Sequence, residues 1–72
     1  MMSKQHQERV ETAFRFICSY EETEGFSPTI REIQECLGVS SPSSAHVVVK
    51  ELIRQGRIEQ KGRCPRSIRI IR

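Results

Sequence analysis

Apolar residues recur at helical spacing in three successive stretches and then switch to alternation. Between Gln5 and Glu24, residues Val10, Ala13, Phe14 and Ile17 follow i, i+3, i+4, i+7, which places them on one helix face. Phe16 and Tyr20 widen that face or cover a neighbour, and Gly25 is a stop signal. The second stretch opens on Ser27-Pro28-Thr29. Thr29 and Glu32 have the spacing of a capping box, and Pro28 disfavours helix at Ser27. Ile30, Ile33 and Leu37 form the stripe, and Gly38 closes it. In the third stretch Ser41 is a good N-cap and Pro42 suits the first helical position. Ala45, Val48, Val49, Leu52 and Ile53 give a longer stripe ending at Gly56. These signals predict helices over about 5–24, 29–37 and 41–55. The run Val47-Val48-Val49 also fits a strand, since β-branched residues lower helix propensity. The start and stop signals and the length of the periodic stretch favour helix.

The last segment has a period of two. Arg57-Ile58-Glu59-Gln60-Lys61 and Ser67-Ile68-Arg69-Ile70 alternate around the turn-forming Gly62-Arg63-Cys64-Pro65. This predicts a two-stranded hairpin over about 57–71, with Ile58, Ile68 and Ile70 facing the helices. An isolated hairpin is marginal in water, so it must pack on the helices. The expected fold is mostly α with a small β-hairpin, in one domain spanning 1–72. Three helices followed by a two-stranded antiparallel wing form the winged helix-turn-helix plan.

Composition and charge narrow the functional classes. A chain of 72 residues buries only about 60% of the surface its unfolded form exposes, leaving little stability for a deep catalytic pocket. Neither an enzyme nor a small-molecule substrate or cofactor is expected. With 36% hydrophobic and 29% charged residues the chain has an ordinary globular balance, which argues against disorder. No apolar run approaches the roughly 18 residues of a membrane span. Residues 1–10 lack the apolar centre of a signal peptide, so a cytoplasmic protein without a membrane partner is expected. The net charge of +3 is uneven. From residue 57 onward Arg57, Lys61, Arg63, Arg66, Arg69 and Arg72 face Glu59 alone, a surplus of +5, whereas residues 1–27 sum to −2. That asymmetry fits a polyanion near the C-terminus, and equally a solvated tail. Cys18, Cys36 and Cys64 form no C-x-x-C pair, which weakens zinc and dithiol readings. Cys18 and Cys36 fall in helical segments and are expected to be buried thiols, with Cys64 in a polar loop. His6, near a polar terminus, is given no role.

The third helix needs one apolar face for the core and one polar face for a partner. Turning about 100° per residue from Ala45 puts Ser43, Val47, Lys50 and Arg54 opposite the stripe, flanked by Ser44 and His46. On a winged helix-turn-helix that face would enter the major groove of double-stranded DNA, with the helix start reaching base edges. Serine hydrogen-bonds several bases and so specifies loosely. Val47 has two readings, contact with a thymine methyl or a scattered surface apolar residue. His46 is either a base reader or an ordinary exposed histidine. Lys50 and Arg54, further along, are expected to meet phosphates, as are Arg63 and Arg66 at the wing tip. The amides near Thr29 and Ser41 would hold phosphates as well. Arg69 and Arg72 are expected to solubilise the last strand.

The stretch from Gly25 to Ile71 contains S-P-T-I-R-E-I-Q-E-C-L-G, S-S-P-S-S-A, R-Q-G-R-I-E and R-S-I-R-I-I. It resembles the N-terminal DNA-binding domain of the LexA repressor family without gaps through the wing, and more loosely through the first helix. The resemblance implies a transcriptional repressor that occupies operators, reading bases from positions matching Ser41, Ser43, Ser44, His46 and Val47. The family typically has asparagine and alanine at the positions of Ser43 and Ser44, and two glutamates at those of His46 and Val47. Four altered reading positions predict a target other than the family's usual SOS operator. The family also carries a dimerising, self-cleaving C-terminal domain with a serine-lysine pair, and the sequence reaches Arg72 where its linker would begin. The chain is therefore expected not to be a peptidase. It should bind a half-site weakly, or pair through another surface as a homodimer on a palindromic operator. Two rival readings are a winged helix used for protein–protein contact, which an exposed Val47 fits, and the DNA-binding fragment of a longer self-cleaving repressor.

Overall fold

In the computed structural model, which describes residues 4–62 and 67–71, three helices enclose a small aliphatic core and a two-stranded sheet closes one end. Helix α1 (Lys4–Glu24) buries Val10, Ala13 and Ile17 along one side, with Phe14 and Phe16 packed against the core. Helix α2 (Ile30–Leu37) buries Ile33, and helix α3 (Pro42–Arg54) buries Ala45, Val48, Val49 and Leu52. Strands β1 (Ile58–Gln60) and β2 (Ile68–Ile70) pair antiparallel with Ile58 opposite Ile70, Glu59 opposite Arg69 and Gln60 opposite Ile68. Ile58 and Ile68 are buried in the helical core, and Ile70 packs at its edge. The outcome is the expected mostly helical architecture with a two-stranded antiparallel sheet.

Local chemistry accounts for the short link between α2 and α3. Thr29 Oγ1 accepts from the Glu32 amide at 3.2 Å, while the Thr29 amide donates to Glu32 Oε1 at 2.8 Å, completing the capping box. Tyr20 of α1 donates to Glu32 Oε2 at 2.6 Å, so the same carboxylate that caps α2 also ties it to α1. Gly38 ends α2 in the left-handed region at φ 68°, and its amide donates to the carbonyls of Gln34 and Glu35. An L side chain at that φ would be strained, and glycine is not. Ser41 then caps α3, its Oγ accepting from the Ser43 amide at 3.2 Å, with Pro42 first in the helix.

Two expectations are corrected. Ile53, counted in the α3 stripe, is 38% exposed. It lies about 80° around the helix from Ala45, past the edge of the arc that α1 and α2 cover. Cys36, expected to be buried, is exposed, and Cys18 is half-buried. Only Ile33 on the two-turn α2 is fully covered, so Cys36 lies off the packed stripe. Partial desolvation pushes its thiol pKa up, the reverse of thiolate activation.

Arg57 fastens the start of β1 to α1. Its Nη1 and Nη2 donate to Glu11 Oε1 and Oε2 at 2.6 and 3.1 Å, and its guanidinium carbon sits 4.0 Å above the centre of the Phe14 ring. That hydrogen bond from Arg57 holds the Glu11 carboxyl below its ordinary range. Glu11 is half exposed, so solvent screening keeps the ion pair modest. Arg57→Ala is expected to lower stability by about 1 kcal/mol from the lost stacking and pairing together. Because the folded pKa of Glu11 is depressed, its share is complete above the unfolded carboxylate pKa and disappears as pH falls through the folded one. Urea unfolding of both proteins should therefore show a gap at neutral pH that narrows in strong acid. A gap of the same size at both would assign the whole effect to the Phe14 stacking.

Candidate nucleic-acid interface

Helix α3 separates its two faces cleanly. Ala45, Val48, Val49 and Leu52 are buried, while Ser43, His46, Val47, Lys50 and Arg54 are exposed and Ser41 and Ser44 are half-buried. The cause is rotational. Residues at 3.6 per turn fall into two arcs, and α1 and α2 cover one of them. Val47 is 53% exposed in the middle of the open arc, with its neighbours Val48 and Val49 both buried.

The open face is not uniformly available. Lys50 projects from it, exposed. Arg54 is held by Glu51, its Nε donating to Oε2 and Oε1 at 2.8 and 3.0 Å. That contact lowers the Glu51 pKa and raises that of Arg54, stabilising both charged forms. A phosphate contact by Arg54 must therefore exchange one anion for another. Thr29 and Ser41 have their oxygens occupied as cap acceptors, which leaves each hydroxyl its proton to donate. Arg63 and Arg66 lie outside the described residues. Arg69 sits exposed on β2, with Nη1 4.0 Å from Glu59 Oε1 in a long cross-strand pair.

Residues without an expected role border this face, His6 among them. His6 of α1 lines a shallow groove of about 200 Å³ with Val47, Lys50, Glu51 and Arg54, so the start of α1 flanks the open arc. A larger groove of about 470 Å³ runs between α2 and α3, lined by Ile30, Arg31, Gln34, Pro42 and His46. Periodicity assigns Arg31 to the outer side of α2. No sequence signal places that side across a groove from His46, because the placement depends on how the two helices cross.

The chain matches the model of the LexA DNA binding domain over residues 3–67. It is 36% identical to the LexA repressor of Carboxydothermus hydrogenoformans over 66 residues, covering 92% of this chain and 31% of that protein. It is 33% identical to the LexA repressor of Lactiplantibacillus plantarum over 69 residues, covering 96% of this chain and 33% of the relative. The LexA repressor of Thermobifida fusca is 38% identical over 63 residues, with 88% and 25% covered. The chain thus spans a third or less of the length of these relatives. Among the described residues no helix is long and apolar enough to cross a membrane. With the match running through all three helices into the first strand, and relatives of 33–38% identity covering most of the chain, the chain belongs to the LexA DNA binding domain family.

Proposed function

We propose that this chain is the DNA-reading domain of a transcriptional repressor, seating α3 in the major groove of a specific double-stranded site. The observation that carries the reading is the division of α3. One arc is fully committed to the core, and the other offers hydroxyls, an imidazole, a valine and two cations. Ser41, Ser43, Ser44, His46 and Val47, at the start of the helix, are the base-reading set. Val47 suits a thymine methyl, and the serines suit either donors or acceptors on base edges. Thr29, Lys50 and Arg54, with Arg63 and Arg66 from the segment between the strands, supply backbone contacts. The role is one of binding rather than catalysis, exercised in the cytoplasm. A homodimer on a palindromic operator, with half-sites about one helical turn apart, is the assembly that would give such a small domain tight binding.

A second reading, contact with another protein, is favoured by the 53% exposure of Val47. Selection from a random duplex pool, followed by gel shift at two salt concentrations, separates the two. Four cations meeting phosphates should weaken binding about 100-fold between 50 and 200 mM salt, and selection should converge on one motif. Binding insensitive to salt, or a pool that never converges, would count against DNA reading.

A further inference from the structure

Resting on that reading, we infer that Arg31 is an additional DNA-positioning residue, holding a backbone phosphodiester in the groove between α2 and α3. The groove has Arg31 on its α2 wall and His46 on its α3 wall, with Ile30, Gln34 and Pro42 between them. Gln34 is committed within the fold, its Nε2 donating to the Val39 carbonyl at 3.3 Å. The Arg31 side chain is 87% exposed, and its one ion pair among the described residues is long, 3.7 Å from Nε to Glu35 Oε1. A surface pair of that length holds its cation weakly. The order is also the poorer one, with the cation N-terminal to the anion at i, i+4.

Local stability gives little reason for an arginine here. Arg31 is the second residue of α2, near the positive end of the helix dipole, where a cation is unfavourable. A locally unfavourable cation beside a groove, one residue before the carboxylate that caps the helix, is better explained by an anion outside the protein. With α3 in the major groove, the preceding helix crosses the DNA backbone. The phosphodiester bordering the groove then passes between α2 and α3, where Arg31 can turn from Glu35 to meet it. His46, on the other wall, marks where backbone contact gives way to base contact.

The test uses the selected duplex and its scrambled counterpart, with the domain as it stands. Arg31→Gln should weaken binding about tenfold on both duplexes and make the salt dependence shallower by close to one counterion. Its melting temperature should be unchanged or slightly raised, because the cation at the helix start is gone. Arg31→Lys should restore most of the affinity, since a phosphate accepts a point charge. Glu35→Gln, which removes the competing anion, should tighten binding about threefold. Wild-type affinity in Arg31→Gln, or a loss confined to one base pair of the selected site, overturns the inference while leaving the domain a DNA reader. If the unaltered domain itself binds without salt dependence, the failure lies in the parent reading.

Discussion

Alanine at Leu52 is expected to lower the stability of the domain by about 2–5 kcal/mol. Leu52 is fully buried on α3, in the same cluster as Ile17 of α1, Ile33 of α2 and Ile58 of β1. Its carbonyl accepts from the Arg57 amide at 3.1 Å, so the backbone that leads into the sheet departs from this residue. Removing the side chain loses its transfer free energy and leaves a cavity where four elements meet. A domain of this length has a total stability of only about 4–10 kcal/mol. Where the total lies at the low end of that range, much of the population should be unfolded at physiological temperature and DNA binding should fall with it, although no contacting residue has changed. Leu52→Met, which nearly conserves volume, should cost less than about 1.5 kcal/mol. Urea unfolding with an unchanged m-value is the measurement. A loss below about 1 kcal/mol for the alanine variant would mean that α3 is not anchored through this residue.

The second large effect concerns specificity without stability. Replacing Ser43, His46 and Val47 together by alanine should leave the fold intact, because all three are exposed on α3 and alanine is the best helix former. Good contacts to base edges discriminate by about 1–3 kcal/mol each. The triple variant is therefore expected to lose about 100-fold or more in affinity for the selected site. Its affinity for scrambled duplex should remain within about twofold, because Lys50 and the wing cations are untouched. Random-pool selection with the variant should return a flattened motif. Retention of the original motif would move base reading to some other surface, and equal losses on both duplexes would make these residues general backbone contacts.

Much of this architecture was legible because the chain encodes it locally. Thr29 and Glu32 announce their capping box in four residues, and the same pair closes it in space. Gly38 and Ser41 mark the turn between α2 and α3 by dihedral preference and side-chain acceptor. The β-branched run Val47-Val48-Val49 pointed weakly toward a strand. Burial of Val48 and Val49 on the helical arc outweighs a propensity difference of a few tenths of a kcal/mol each. What was not legible depends on how far a neighbouring helix reaches. Ile53 and Cys36 had the right character for burial but lie beyond the covered arcs. Arg57 read as one more basic residue near the C-terminus, and its place on Glu11 and Phe14 follows only from the return of the chain to α1. The places of Arg31 and His6 are hidden from the sequence for the same reason. Their position beside the open face of α3 is set by helix crossing, which no short-range motif records.

On the proposed reading, α3 presents its open arc to a duplex. Titrating the isotope-labelled domain with the selected duplex and following backbone amide shifts tests it directly. The largest changes are expected from residue 41 to residue 50, with a smaller set at the start of α2. Changes centred instead on Phe26, Ile53 and Ile71, the exposed apolar residues away from that arc, with α3 unmoved at Ser43 and Val47, would contradict it.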